Sequence, residues 1–158
     1  MRKLRGKLFS FVFQDPMTAL NPTIPIGKQI AEAILVHEPK LDKDEVYKRV
    51  IDLMELVGIK QPHERYKLYP YNFSGGMRQR SVMAIALASN PKILLADEPT
   101  GALDTKSGNQ IMEIFRKLSE EGMTIIMITH EPAIADHADK TYHILDGELL
   151  TENTGEET

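Results

Sequence analysis

Two short runs fix the class of fold. Ile93 to Ala96, which ends on Asp97, and Thr124 to Thr129 are apolar at nearly every inner position. Between them lies Thr105 to Glu121, with Ile111, Ile114, Phe115 and Leu118 spaced as one face of a helix. Strands without polar alternation are covered on both faces, so this strand, helix, strand order demands an α/β fold with a parallel sheet between helices. A third run, Leu8 to Phe13, is rich in aromatic and β-branched residues. It stops at Gln14-Asp15-Pro16 and reads as another buried strand, followed by a loop through Pro22 and Pro25.

The middle of the chain changes period. Ile26, Ile30, Ala33, Ile34 and His37 mark one amphipathic helix. After Pro39, Val46, Val50, Leu53, Met54 and Val57 mark a second, closed by Gly58 as a C-terminal cap. Residues 60–73 hold Pro62, Pro70 and four aromatics and read as irregular, and Ser74 is a natural N-cap for a helix to about Ser89. Glu131 to Asp139 reads as a short helix. Tyr142 to Leu145 and Glu148 to Leu150 flank Asp146-Gly147, a two-residue hairpin signal. The expected organisation is a strand and loop over 8–25, a helical subdomain over 26–89, a sheet core over 90–150 and a loose polar tail over 151–158.

Composition mainly excludes. The absence of cysteine removes disulfides, thiolate metal sites, iron–sulfur ligation and a cysteine nucleophile. Nineteen Lys and Arg against 23 Asp and Glu give a net charge of −4, which offers no electrostatic reason to expect nucleic acid as a partner. No run approaches the roughly 20 apolar residues of a membrane-spanning helix. The basic start, Met1 to Lys7, precedes an apolar run too short for a secretory signal and reads as the middle of a domain.

Chemistry gathers at the ends of the strands. Asp97-Glu98 places two carboxylates where open α/β sheets bind ligands. The first suits a Mg²⁺ water shell and the second a reacting water, although the pair also fits a solvated acidic turn. Ser74, Gly75 and Gly76 open a helix with bare backbone N–H groups at its positive end, which suits a terminal phosphate as well as an ordinary cap. Arg78 and Arg80 read as a solvated or subdomain-bridging face. Gln14, Thr129-His130 and Gly101-Ala102-Leu103-Asp104 open onto the same edge, so one polar cluster can be built from Gln14, Asp97, Glu98 and His130.

Taken in order, these segments resemble the nucleotide-binding subunit of ATP-binding cassette (ABC) transporters. Phe13-Gln14-Asp15 is similar to the Q-loop, Phe73-Ser74-Gly75-Gly76-Met77 to the signature motif, and Ile93 to Asp97 to Walker B, with Glu98 as the catalytic glutamate. Gly101 to Asp104 is similar to the D-loop and His130 to the H-switch. The run Phe13 to Pro22 and the segment Met77-Arg78-Gln79-Arg80 resemble importers of dipeptides, oligopeptides and nickel. Thr100 to Gly108 and Thr129-His130-Glu131-Pro132 look more like the lipoprotein-release and macrolide-export branch.

The resemblance implies a P-loop NTPase type of sheet and a head-to-tail pair of ATPase subunits, alike or different, closing over Mg-ATP. It makes Glu98, His130 and Gln14 catalytic, lets Asp97 and Gln14 meet Mg²⁺ through water, and has Ser74, Gly75 and Gly76 act on the partner's nucleotide. Gly101, Ala102, Leu103 and Asp104 fall to the dimer contact. It also implies transmembrane permease subunits as partners and a peripheral place at the cytoplasmic face of the membrane. An ATPase of the DNA-repair branch is disfavoured by the acidic balance and the transporter-like Q-loop run.

No Gly-x-x-x-x-Gly-Lys-Ser/Thr occurs in the sequence, so the cradle and lysine that hold the β and γ phosphates are not among these residues. The expectation is therefore an ABC nucleotide-binding domain lacking its N-terminal P-loop strand, with ATP and Mg²⁺ held weakly or not at all by the chain alone. Apolar strands should be left partly uncovered and the isolated chain prone to self-association. A second reading is a noncatalytic module that pairs with an intact ATPase subunit and supplies its signature helix in trans.

Overall fold

Strand β1 (Phe9–Val12) lies parallel to β2 (Ile93–Asp97), which lies parallel to β3 (Thr124–Ile128), in the order β1-β2-β3. Phe11, Leu95 and Ile126 share one row of the register, and Val12, Ala96 and Met127 the next. This is the expected parallel sheet in a computed structural model that describes residues 8–150; the polar tail and the basic start lie outside the described residues. The chain divides into two compact units, residues 1–128 and 129–158.

In the first unit the helices pack around one central rod. Helix α5 (Gly75–Leu87) lies against α2 (Ile26–His37), α3 (Lys43–Leu56), β1 and α6 (Thr105–Glu120). Most of the predicted apolar stripes are buried: Ile26, Ile30, Ile34, Val50, Met54 and Val57 have no more than traces of accessible surface, while Ala33, His37 and Leu53 are half-buried, and Met83 of α5 is buried with them. Each fully buried side chain contributes about 1.5–3 kcal/mol by leaving water. Asp42 caps α3 by accepting from the N–H groups of Asp44 and Glu45. At its other end Gly58 takes a φ of 73°, and Ile59 N–H and Gly58 N–H donate to the Met54 and Glu55 carbonyls, which closes the helix as a Schellman motif.

Two differences from the sequence reading have physical causes. The segments read as loop or irregular contain three single-turn helices: α1 (Pro16–Ala19), α4 (Pro62–Arg65) and a 3₁₀ turn over Pro70–Asn72. Each starts on a proline. A proline taken as a breaker is equally a starter, because its fixed φ and missing N–H cost nothing in the first turn. Helix α7 (Pro132–Ala135) also starts on proline and is shorter than expected.

The apolar strands are left partly uncovered, as the sequence leads one to expect. The face bearing Val12, Leu94 and Ala96 is buried, whereas Phe11 and Ile126 on the other face are 41% and 48% exposed, and Ile128 is 63% exposed. Among the described residues, the helices therefore protect one face well and leave the other partly open, with β3 as an edge strand. At micromolar concentration the isolated chain is expected to bind an apolar dye and to self-associate. A monomer on sedimentation that binds no dye would overturn this.

The second unit holds α7 and a hairpin of β4 (His143–Leu145) and β5 (Glu148–Leu150). Asp146 and Gly147 both have positive φ, 50° and 83°, as the predicted two-residue turn requires.

Candidate functional site

The C-terminal ends of β1 and β2 bring the first group of residues together. Two residues after β1, the Gln14 carboxamide nitrogen stands 3.0 Å from the point where a Cβ on Gly101 would lie, and the Glu98 Cβ stands 3.6 Å from that same point. Gly101 is thus the gap that admits Gln14 beside Glu98. Glu98 N–H donates to the Ile128 carbonyl at 2.9 Å, extending the ladder one step past Asp97, and the chain then turns with Gly101 N–H donating to the Glu98 carbonyl at 3.1 Å. Glu98 holds a φ of 44°, a left-handed conformation that costs a non-glycine residue about 1–3 kcal/mol and is typical of functional turns. Asp97, in register with Ile128 at the end of β2, is exposed.

The second group joins two helix N-termini. Ser74 caps α5, its hydroxyl accepting from Met77 N–H at 3.3 Å. Gly75 is exposed, and a Cβ there would meet only the Leu103 side chain at 3.7 Å, so the mouth of the helix is open. Gly76 is buried, and a Cβ there would lie 2.9 Å from the Ser107 hydroxyl. The segment Gly101 to Asp104, with Ala102 and Asp104 exposed, leads into α6. Asp104 caps that helix: its carboxylate accepts from Ser107 N–H at 3.0 Å and from the Ser107 hydroxyl at 2.8 Å.

These bonds hold the Asp104 carboxyl below its ordinary value of 3.8, the Ser107 backbone bond first and its hydroxyl second. A lowered folded value means that the charged cap stabilises the fold above the ordinary carboxylate range and loses this as pH falls through the lowered value. The variant Asp104→Asn keeps a capping oxygen and loses the charge. It is expected to melt below the parent at neutral pH, with the gap closing as pH falls through the lowered value. A gap that stayed constant across that fall in thermal melts would contradict the assignment.

The structure therefore brings Gln14, Glu98 and Gly101 together, and separately Gly75 with Leu103 and Gly76 with Ser107. His130 belongs to the second unit, in a bend before α7, where it is exposed. Arg78 donates to the Pro70 carbonyl at 2.8 Å. Arg80 bridges the Gly58 carbonyl at the end of α3 to the Gln110 side chain on α6, so it does join the helical segment to the core. Partial burial lowers the Arg80 pKa from its usual value.

Sequence reasoning missed two contributors. Ser107 lies in the first turn of α6, and its fit against Gly76 needs the tertiary packing to be seen. Gln79 was readable: it shares the buried face of α5 with Gly76, Met83 and Ala86, and a carboxamide on an apolar stripe is a signal.

The family described as ABC transporter matches residues 1–101. The oligopeptide transport ATP-binding protein OppD of Bacillus subtilis (strain 168) is 46% identical over 99% of this chain and 44% of its own length. The dipeptide transport ATP-binding protein DppD of the same organism is 47% identical over 94% of the chain and 45% of its own length. OppD of Escherichia coli (strain K12) is 44% identical over 83% and 39%. The chain thus spans less than half the length of these curated relatives. Among solved structures, the dimeric ATP-binding cassette MJ0796 bound to ADP and Pi superposes with a TM-score of 0.80 at 32% identity, covering 94% of this chain and 63% of that one. The protein cbiO1 from Clostridium perfringens, part of the transporter complex cbiONQ, gives 0.83 at 29% identity, covering 95% and 58%.

Proposed function

The chain belongs to the ABC transporter family, and from that premise we propose that it forms part of an ATP-binding and ATP-hydrolysing subunit that energises the transport of peptides. The observation that carries the reading is the edge at which Gln14, Glu98 and Gly101 meet beside the exposed Asp97, together with the open mouth of α5. The peptide cargo is supported by relatives named for oligopeptide and dipeptide transport, whose matches run through both halves of the chain.

The residues fit the metal and water side of Mg-ATP, while the cradle and lysine for the β and γ phosphates are not among them. Asp97 is a hard oxygen donor of the kind that meets Mg²⁺ through water, and Gln14 is assigned to the same ion. Among the described residues no three His, Cys, Asp or Glu side chains gather into a metal site, so this pair would share the ion with phosphates and solvent. Mg²⁺, when bound, neutralises charge on the phosphates. Glu98 orients and polarises the attacking water, Gln14 closes the site from the β1 side, and His130 is assigned to the γ-phosphate. Ser74, Gly75 and Gly76 offer N–H groups to a phosphate held by a second ATPase subunit, with Leu103 and Asp104 at that contact. Phosphoryl transfer needs such positioning and charge more than covalent help.

No helix among the described residues is long and apolar enough to cross a membrane. We propose permease subunits as partners at the cytoplasmic face, a reading supported by the relatives named for transport. The test is ATP hydrolysis by membranes carrying the assembled transporter, supplied with dipeptides or oligopeptides. Stimulation by peptide supports the reading. Hydrolysis indifferent to every peptide would remove the cargo assignment, and no hydrolysis at all would remove the enzyme.

A further inference from the structure

Gln79 is the one buried polar residue of α5 whose side chain reaches out of its own helix to the first strand's exit. It is 1% exposed, and its amide nitrogen donates to the Phe13 carbonyl at 3.1 Å, across 66 positions of sequence. Its amide oxygen is buried and has no hydrogen-bond partner among the described residues. Gln29 provides the contrast. It too is buried, but its carboxamide accepts from Asn21 N–H and donates to the Asn21 and Ile24 carbonyls, the pattern of a glutamine that ties a loop down. A half-satisfied carboxamide is a poor device for stability, because an unpaired buried acceptor costs about as much as the single bond returns.

What the bond holds is more specific. The Phe13 carbonyl lies in the plane of the Phe13–Gln14 peptide, and a peptide plane moves as one body. Fixing that oxygen fixes the direction in which Gln14 leaves the strand, and Gln14 is the residue packed against Gly101 beside Glu98. We propose that Gln79 is a positioning residue: from the helix that Ser74 caps, it holds the Phe13–Gln14 peptide and so aims Gln14 at Glu98. The mouth of α5 and the carboxylate edge of the same chain are then mechanically one unit. The catalytic meaning of this link rests on the ATPase reading above; the link itself does not.

The test uses Gln79→Leu and Gln79→Met, which keep the volume and remove the donor. In the chain itself, thermal melting should change by no more than about 3 °C, since exchanging a half-paired polar group for an apolar one is close to neutral. Hydrogen exchange read by mass spectrometry should quicken at least about fivefold in residues 13–18 and stay unchanged in α5 beyond Gln79. In the assembled transporter kcat should fall about tenfold or more with KM for ATP within about twofold, the mark of a lost orientation rather than lost binding.

If either variant unfolds, the parent chain still decides the matter. One Gln79 side-chain amide proton should exchange slowly by NMR, and fast exchange of both would overturn the proposal. Unchanged exchange at 13–18 in a folded variant would overturn it as well. A transporter that ignores Glu98→Gln would instead overturn the ATPase reading and leave the exchange result to judge Gln79.

Discussion

Replacing Glu98 by glutamine is expected to lower ATP hydrolysis by the assembled transporter about 10²–10³-fold while leaving ATP binding within a few-fold of the parent, the scale of losing one positioned base. The change preserves size and one acceptor oxygen, so the strained turn at Glu98 and its backbone bonds to Ile128 and Gly101 can persist. Equilibrium binding of labelled ATP and steady-state hydrolysis measured on the same preparation separate the two effects. Ser74→Arg is the companion experiment. It puts a bulky cation at the positive end of α5, where Ser74 now receives the Met77 N–H, and should abolish hydrolysis by closing the helix mouth. The pair of variants discriminates between two roles. Loss with both assigns this chain its own working carboxylate edge. Loss with Ser74→Arg alone, with Glu98→Gln nearly silent, would assign it the part of a module that lends its signature helix to another subunit's site.

Much of this arrangement is legible in residue order because each local signal has a local cause. Ser74, Asp104 and Asp42 cap their helices through their own side chains, Gly58 and Asp146-Gly147 turn where a positive φ is needed, and the stripe Ile26, Ile30, Ile34 faces inward by helical period alone. Asp97 and Glu98 are found at a strand end because an apolar run must stop where it leaves the sheet. What the residues do not disclose is set by partners far away in sequence. Prolines 16, 62 and 70 break or start helices with equal ease, and the surrounding packing decides which. That the sheet is partly open follows from the missing phosphate-loop strand, but which face is bare cannot be read from Ile126 or Ile128, whose apolar character is the same whether or not a helix lies over them. The juxtaposition of Gln14 with Gly101, 87 residues on by number, depends on β1 pairing beside β2.

Gly76 shows how strongly such a hidden contact acts, and Gly76→Ala is the second substitution with a large expected effect. Two glycines open α5, and sequence gives them the same task of baring the backbone to a phosphate. The structure separates them. A Cβ at Gly75 would meet Leu103 at 3.7 Å, an ordinary contact. A Cβ at Gly76 would lie 2.9 Å from the Ser107 hydroxyl and 3.0 Å from the Ser107 Cβ. The hydroxyl is already engaged by Asp104 at 2.8 Å, and even if it rotates away the Cβ is fixed to the backbone of α6. One helix must then shift against the other. Overpacking of this kind costs about 1–3 kcal/mol, which lowers Tm by several degrees, and it moves the mouth of α5 relative to the Gly101 to Asp104 segment. Gly75→Ala should be neutral or slightly stabilising, since alanine is the better helix former by about 0.5–1 kcal/mol. The decisive comparison is a cycle with Ser107→Gly. If the clash is the cause, Gly76→Ala on that background should cost less than about 0.5 kcal/mol, because the atoms it met are gone. An unchanged penalty in chemical denaturation would mean that Ser107 is not the cause, and the two helix N-termini would have to be treated as independent.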